Sequence, residues 1–228
     1  HGANVDGVQY FKTLNANRVL NNVVTEAVGN RLTRANTQFG ELNGVGSNWF
    51  STPHVVTTWA GLDVRVRVIR STIVDTSPMM AQTNGVGAQS SFSLFITAAG
   101  KVTGFYCTAA GTLHYLANTA FSVPFAVGEI GWVRFTVETT TGDLKIYTAD
   151  GNLEAPAISD YTQLGPAQNP TSGPTTINTS TLSYLVGQYN VYGTYSSNAK
   201  FYRAQVFNAV DGTTPVVDFT AGSYVSGS

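Results

Sequence analysis

The sequence predicts an all-β protein, built as a sandwich or barrel of antiparallel strands. Three observations carry that expectation. Apolar and polar residues alternate one for one along several segments, turn signals rich in Gly, Asn and Asp separate them at short intervals, and helical periodicity is scarce. The 228 residues, 43% of them hydrophobic, can build one large β domain or two small ones.

Residues 1–46 are the least regular part. The run "LNANRVLNNVVTEAVGNRLTRANTQFG" is rich in Asn and lacks clean alternation. Val19, Val23, Val24 and Ala27 fall near helical spacing, but β-branched residues and Asn disfavour a long helix. We expect an N-terminal arm or short strands here, as part of the same sandwich or beside it, and a sandwich domain over 47–228.

From residue 47 the pattern sharpens. Leu62, Val64, Val66 and Val68 alternate with Asp63, Arg65 and Arg67, which predicts one core face and one solvent face. Phe92, Leu94 and Ile96 line one face of the next strand, ahead of an Ala-Ala-Gly turn and a partner strand. "WVRFTVETTTGDLKIYTADG" then reads as a hairpin. Val133, Phe135 and Val137 point inward and Arg134, Thr136 and Glu138 point to water; Leu144 and Ile146 resume the apolar face. Gly142 supplies a positive φ for the turn, and Asp150-Gly151 marks a second one. Residues 155–180, with four prolines, read as a polar loop, and "TLSYLVGQYNVYGTYSSNAKFYRAQVFNAVDGTTPVVDFTAG" supplies the last strands.

Only 11% of residues are charged, against roughly 25% in soluble domains generally, so Thr, Ser, Asn, Gln and Gly must make the surface. Such surfaces suit exposed extracellular or virion β proteins. The net charge of −1 offers no basic excess for phosphate, which disfavours nucleic acid as a partner. No run approaches the roughly 20 apolar residues that span a bilayer, so no membrane insertion is expected. The single cysteine, Cys107, excludes an internal disulfide and sits in an apolar strand context expected to be buried and inert. No signal peptide is visible, and the chain opens on His1 rather than Met, which predicts a fragment, a processed form or a piece of a larger parent.

Several segments, in order, resemble one family. They are "STPHVVTTWAGLDVRVRV" with Gly61-Leu62-Asp63-Val64-Arg65-Val66, "SFSLFITAAGKVTGFYCTAAG", the Trp132-Val133-Arg134 strand, and the ending from Phe201-Tyr202-Arg203-Ala204 to Asp218-Phe219-Thr220. Over roughly residues 47–221 the chain is similar to the concanavalin A-like, laminin-G-like jelly rolls of minor tail proteins in virions of actinobacterial phages. His54, after Pro53, stands where that pattern has an acidic residue. The resemblance implies a two-sheet antiparallel jelly-roll sandwich and a place in a virion, in the tail. Other virion proteins are the expected partners, and an oligomer is compatible with that place. The resemblance implies no particular ligand.

Glycoside hydrolases share this fold, so catalysis deserves a test. Retaining hydrolysis needs two carboxylates about 5 to 5.5 Å apart. Among the thirteen acidic residues no same-face strand pair occurs, and Glu129, Glu138, Asp143, Asp150 and Glu154 fall mostly at turns or strand ends. The histidines are His1, His54 and His114, there is no Gly-x-Ser-x-Gly elbow, and "GQYNVYG" and "GVGAQ" lack the strand-to-helix setting of a phosphate cradle. His114, beside Tyr115, reads as a plain strand residue. We expect no catalytic residues and no cofactor. Calcium is the less favoured alternative, because Asp150, Asn152, Asp160 and Asp211 serve equally as turn residues.

The binding candidates are Tyr189, Tyr192 and Tyr195, three amphipathic rings in a Gly-, Ser- and Asn-rich loop suited to sugar stacking or a protein contact. The plainer role for them is packing over the sandwich end. Trp49 and Trp59 are expected to plug the core or its edge. The expected function is a non-catalytic structural or adhesive virion module. A carbohydrate-binding module contacting host-surface glycans is the alternative, and a glycan-cleaving hydrolase the least favoured one.

Overall fold

The computed structural model describes residues 3–5, 8–10, 23–25, 32–34, 40–43, 50–52, 55, 58–70, 76–85, 89–97, 99–116, 122–189 and 197–221. The chain forms two compact units, His1–Gln38 and Phe39–Ser228. In the first, β1 (Ala3–Val5) pairs antiparallel with β2 (Val8–Tyr10), and β3 (Val23–Thr25) with β4 (Leu32–Arg34).

The second unit is a sandwich of two antiparallel sheets. Its strands are β5 (Gly40–Asn43), β6 (Phe50–Thr52), β7 (Gly61–Arg70), β8 (Ser77–Gln82), β9 (Phe92–Ile96), β10 (Val102–Cys107), β11 (Leu113–Tyr115), β12 (Ile130–Glu138), β13 (Leu144–Asp150), β14 (Thr162–Gln168), β15 (Tyr184–Val186), β16 (Asn198–Phe207) and β17 (Val217–Thr220). One sheet runs β11-β10-β9-β8-β15-β6; the other runs β14-β13-β12-β7-β16-β17, with β5 also paired to β16. The chain crosses between sheets after β5, β6, β7, β11, β14 and β15, so neighbours in sequence often face each other across the core.

That core is what the alternation predicts. Leu62, Val64, Val66, Val68, Val133, Phe135, Val137, Leu144 and Ile146 project from one sheet, and Phe92, Leu94, Ile96 and Tyr106 from the other; all are buried in one cluster. Trp59 packs half-buried at its margin, edge-on to Phe92, with its indole N–H donated to the Asn178 carbonyl at 3.1 Å. Trp49, Pro53 and His54 lie outside the described residues.

Two expectations need correction. The face of β7 and β12 expected to meet water is largely covered: Asp63 is 0% exposed, Arg134 2%, and Arg65 and Thr136 are also buried. Period-two alternation reports which side chains share a face, not what lies over it. Here Tyr147 on β13 and Tyr161 beyond it shield Arg134, and the turn carrying Asp211 closes over Asp63. Second, the segment expected as a polar loop contains β14, an edge strand paired to β13. Its mostly exposed side chains and Pro166 mimic a loop in sequence; an edge strand tolerates both because one of its backbone edges already faces solvent.

The β12–β13 turn rests on Gly142, at φ 81°. A Cβ there would lie 2.1 Å from the Gly173 carbonyl oxygen. Gly142→Ala should therefore cost at least about 1 kcal/mol, left-handed strain plus a backbone clash. Chemical denaturation checks it, and an unchanged midpoint would contradict this turn geometry.

Candidate functional site

Two sheet faces pointing away from the core carry side chains with chemical character. On the six-stranded sheet, Phe95 of β9, Phe105 of β10 and Tyr115 of β11 project outward, because Thr103 pairs with Phe95 and Phe105 pairs with Tyr115. Tyr189, just after β15, joins them. Its ring centroid lies 5.4 Å from that of Phe95 and 6.2 Å from that of Phe105, and the Phe105 and Tyr115 rings are 5.4 Å apart. The result is a continuous aromatic row. Phe105 is its buried middle, while Tyr115 is 60% exposed at the sheet edge. A tyrosine held from behind by other rings offers a wet apolar face at little entropic cost.

Of the three predicted binding residues, Tyr189 is thus placed beside two rings, and Tyr192 and Tyr195 lie outside the described residues. Sequence reasoning missed Phe95, Phe105 and Tyr115. The signal was present: Phe95 and Phe105 occupy the face opposite to Leu94 and Tyr106, which makes both strands apolar on two sides.

The second face belongs to the seven-stranded sheet. Asp63 accepts five hydrogen bonds there: from Arg65 Nε (3.2 Å) and Nη2 (2.7 Å), Arg134 Nε (2.9 Å) and Nη2 (2.8 Å), and the Asp211 backbone N–H (3.2 Å). Arg134 also pairs with Asp211, and Arg65 Nη2 donates to the Gly212 carbonyl. Burial opposes the charge on Arg134, but the bonds and charges of Asp63 and then Asp211 outweigh it and raise its pKa above the ordinary arginine value. A carboxylate this saturated with donors is a structural anion, and Asp63 is spent on fixing two arginines. Beside the cluster, Arg203 donates to Asp218 through Nε (2.9 Å) and Nη2 (2.6 Å), and Arg67 Nε donates to the Gly151 carbonyl at 2.9 Å.

Of the acidic residues weighed for hydrolysis, Glu129 accepts the Ala126 N–H, Glu138 the Thr140 hydroxyl, Asp143 the Asn169 side-chain N–H and Asp150 the Asn152 N–H. Asp160, weighed for calcium, accepts the Ala157 N–H. Asp211, at φ 59°, faces Arg134. No group of three or more His, Cys, Asp or Glu side chains converges as a metal site among the described residues. His114 stacks on Tyr106 at 5.3 Å as a strand residue, and Cys107 is buried, its thiol pKa raised by desolvation. A shallow depression at one end of the sandwich, lined by Trp59, Thr58, Thr139, Thr140, Thr175 and Thr176, contains no charged side chain.

Solved structures superpose on this arrangement. A Ruminococcus gnavus intramolecular trans-sialidase CBM40, in complex with α2,3-sialyllactose, aligns over 75% of this chain and 90% of its own, at 11% identity and a TM-score of 0.52. The fold is a jelly-roll sandwich. A candidate carbohydrate-binding protein from Bacteroides ovatus matches 79% of the jelly roll's chain and 51% of its own, at 12% identity and TM-score 0.51. A leech intramolecular trans-sialidase matches 75% and 25%, at 8% identity and TM-score 0.52. At these identities the likeness is one of fold alone. No family model matches the jelly roll, and no curated protein matches it.

Proposed function

We propose that this jelly roll is a non-catalytic carbohydrate-binding or adhesive module of a phage virion, carried in the tail. The observation that carries the binding reading is the aromatic row, with Tyr115 exposed at the sheet edge and Tyr189 at its other end. An exposed ring supported by tilted and edge-on neighbours fits the apolar face of a sugar, and the tyrosine hydroxyls fit its rim. A sandwich of this shape carries a sialylated sugar in the R. gnavus CBM40, which supports the same class of ligand here. The virion reading rests on the sequence resemblance over residues 47–221, and on a surface poor in charge. The absence of hydrolysis is supported by acidic side chains spent on turns and on Asp63's arginines.

A glycan array tests the proposal. Wild type should bind a defined glycan set, and Tyr115→Ala should weaken it by about 2 kcal/mol, roughly thirtyfold. The triple Ala variant of Tyr189, Tyr192 and Tyr195 should weaken adsorption to host cells as well. Folded variants that bind as wild type would remove this row as the site. No reducing sugar should be released from cell-wall glycan. Release by wild type that is lost in Glu129→Gln, Glu138→Gln or Asp150→Asn would make the protein an enzyme. Density for this domain in a map of an intact particle checks the tail assignment.

A further inference from the structure

The arginines on the outer face of the seven-stranded sheet outnumber the aspartates paired with them. Among the described residues, Arg65, Arg134 and Arg203 meet Asp63, Asp211 and Asp218 in ion-pair range, and Arg67 meets no carboxylate. Arg65 and Arg134 are held by Asp63 and Asp211, and Arg203 by Asp218. Arg67 has no carboxylate partner among the described residues. Its Nε is fixed on Gly151, and its guanidinium carbon lies 5.1 Å from the centre of the Tyr202 ring. Among the described residues its two terminal nitrogens have no acceptor, on a side chain that is partly buried and already oriented.

Its position sharpens the imbalance. Arg67 and Arg203 are direct cross-strand partners on β7 and β16, brought level by the bulge between Phe201 and Arg203. Like charges in that relation repel, and the single carboxylate beside them, Asp218, is taken by Arg203 and by Gln205. Glu154, in the exposed segment after β13, adds only a weak pull on Arg203.

We infer that Arg67, with Arg203 beside it, forms a second binding site that takes the carboxylate of a sugar acid. A guanidinium with two free nitrogens in one plane matches a carboxylate in bidentate fashion. Arg67 offers one unpaired guanidinium, which fits one carboxylate and is far too little for a polyanion such as nucleic acid. A neutral sugar would leave that charge unpaired. The saccharide part of the ligand rests on the carbohydrate reading above. The anion part does not, and the site lies on the opposite sheet from the aromatic row.

The test uses an array of sugar-acid glycans, uronates and sialylated glycans, each beside its methyl ester and a neutral counterpart, probed with the intact chain. Wild type should prefer the acids over their esters by at least about tenfold. Arg67→Met should erase that preference while leaving the protein folded and neutral-glycan binding unchanged. Tyr115→Ala should keep the preference for acid over ester. Equal binding of acids and esters by wild type, or an undiminished acid preference in folded Arg67→Met, overturns the inference. Sulfated glycans bound as tightly as the carboxylates overturn the carboxylate assignment. Binding of neutral glycans alone sinks this site and leaves the aromatic row standing. Binding of acids alone, lost in Arg67→Met, sustains this site and sinks the row. A wild type that binds no glycan sinks both.

Discussion

Phe135→Ala should destabilise the sandwich by about 3 to 5 kcal/mol. Phe135 is 0% exposed at the centre of β12, between Val64 of β7 and Ile146 of β13. Across the core its ring lies over Gly104 of β10, where a Cβ would stand 3.6 Å from the ring edge. The large residue on one sheet fills the space left by the small one on the other. Truncation opens a cavity that cannot collapse, because β12 is hydrogen-bonded on both sides and Gly104 has no side chain to move in. For a chain of this size each kcal/mol shifts the melting temperature by roughly 2 to 4 °C, so the expected fall is roughly 6 to 20 °C. Phe135→Leu should cost clearly less. A loss below about 1 kcal/mol for the alanine variant would show that the two sheets do not meet at this point.

Asp63→Ala should be as damaging, by about 3 to 5 kcal/mol, for an electrostatic reason. It removes the carboxylate that holds Arg65 and Arg134 and leaves Arg134, 2% exposed, with only Asp211 for its charge. Uncompensated buried charge is the expensive part; the pair itself contributes little against a well-packed apolar replacement. The triple variant Asp63→Leu, Arg65→Met, Arg134→Met should therefore recover most of the loss. Guanidinium denaturation of the single and triple variants decides the matter. A single variant as stable as wild type would mean that water reaches the arginines and the cluster is not buried. A triple variant no better than the single one would mean that the cluster's geometry, rather than its charge, supports the sheet.

The alternation in the sequence was enough for the all-β class, the central hairpin and the inward face of each of its strands. Val133, Phe135 and Val137 on β12 and Leu144 and Ile146 on β13 are buried where the alternation put them, and the turn bends at Gly142. These are local matters: successive side chains on a strand point to opposite faces, and a positive φ suits glycine. What covers a face is not local. Arg134 and Thr136 read as solvent-facing because they are polar, yet Tyr147, Tyr161 and the Asp211 turn lie over that face and turn its charges into a buried network. The same holds for the sites. Tyr189 was legible as an aromatic in a turn. Its neighbours Phe95 and Phe105 lie far from it in sequence and reach it only because β15 joins the sheet beside β8. The pairing of Arg67 with Arg203 depends likewise on β16 returning beside β7 with a one-residue bulge. Sequence periodicity carries the direction of each side chain, while strand order and register, set by packing across the whole sandwich, decide which distant side chains meet.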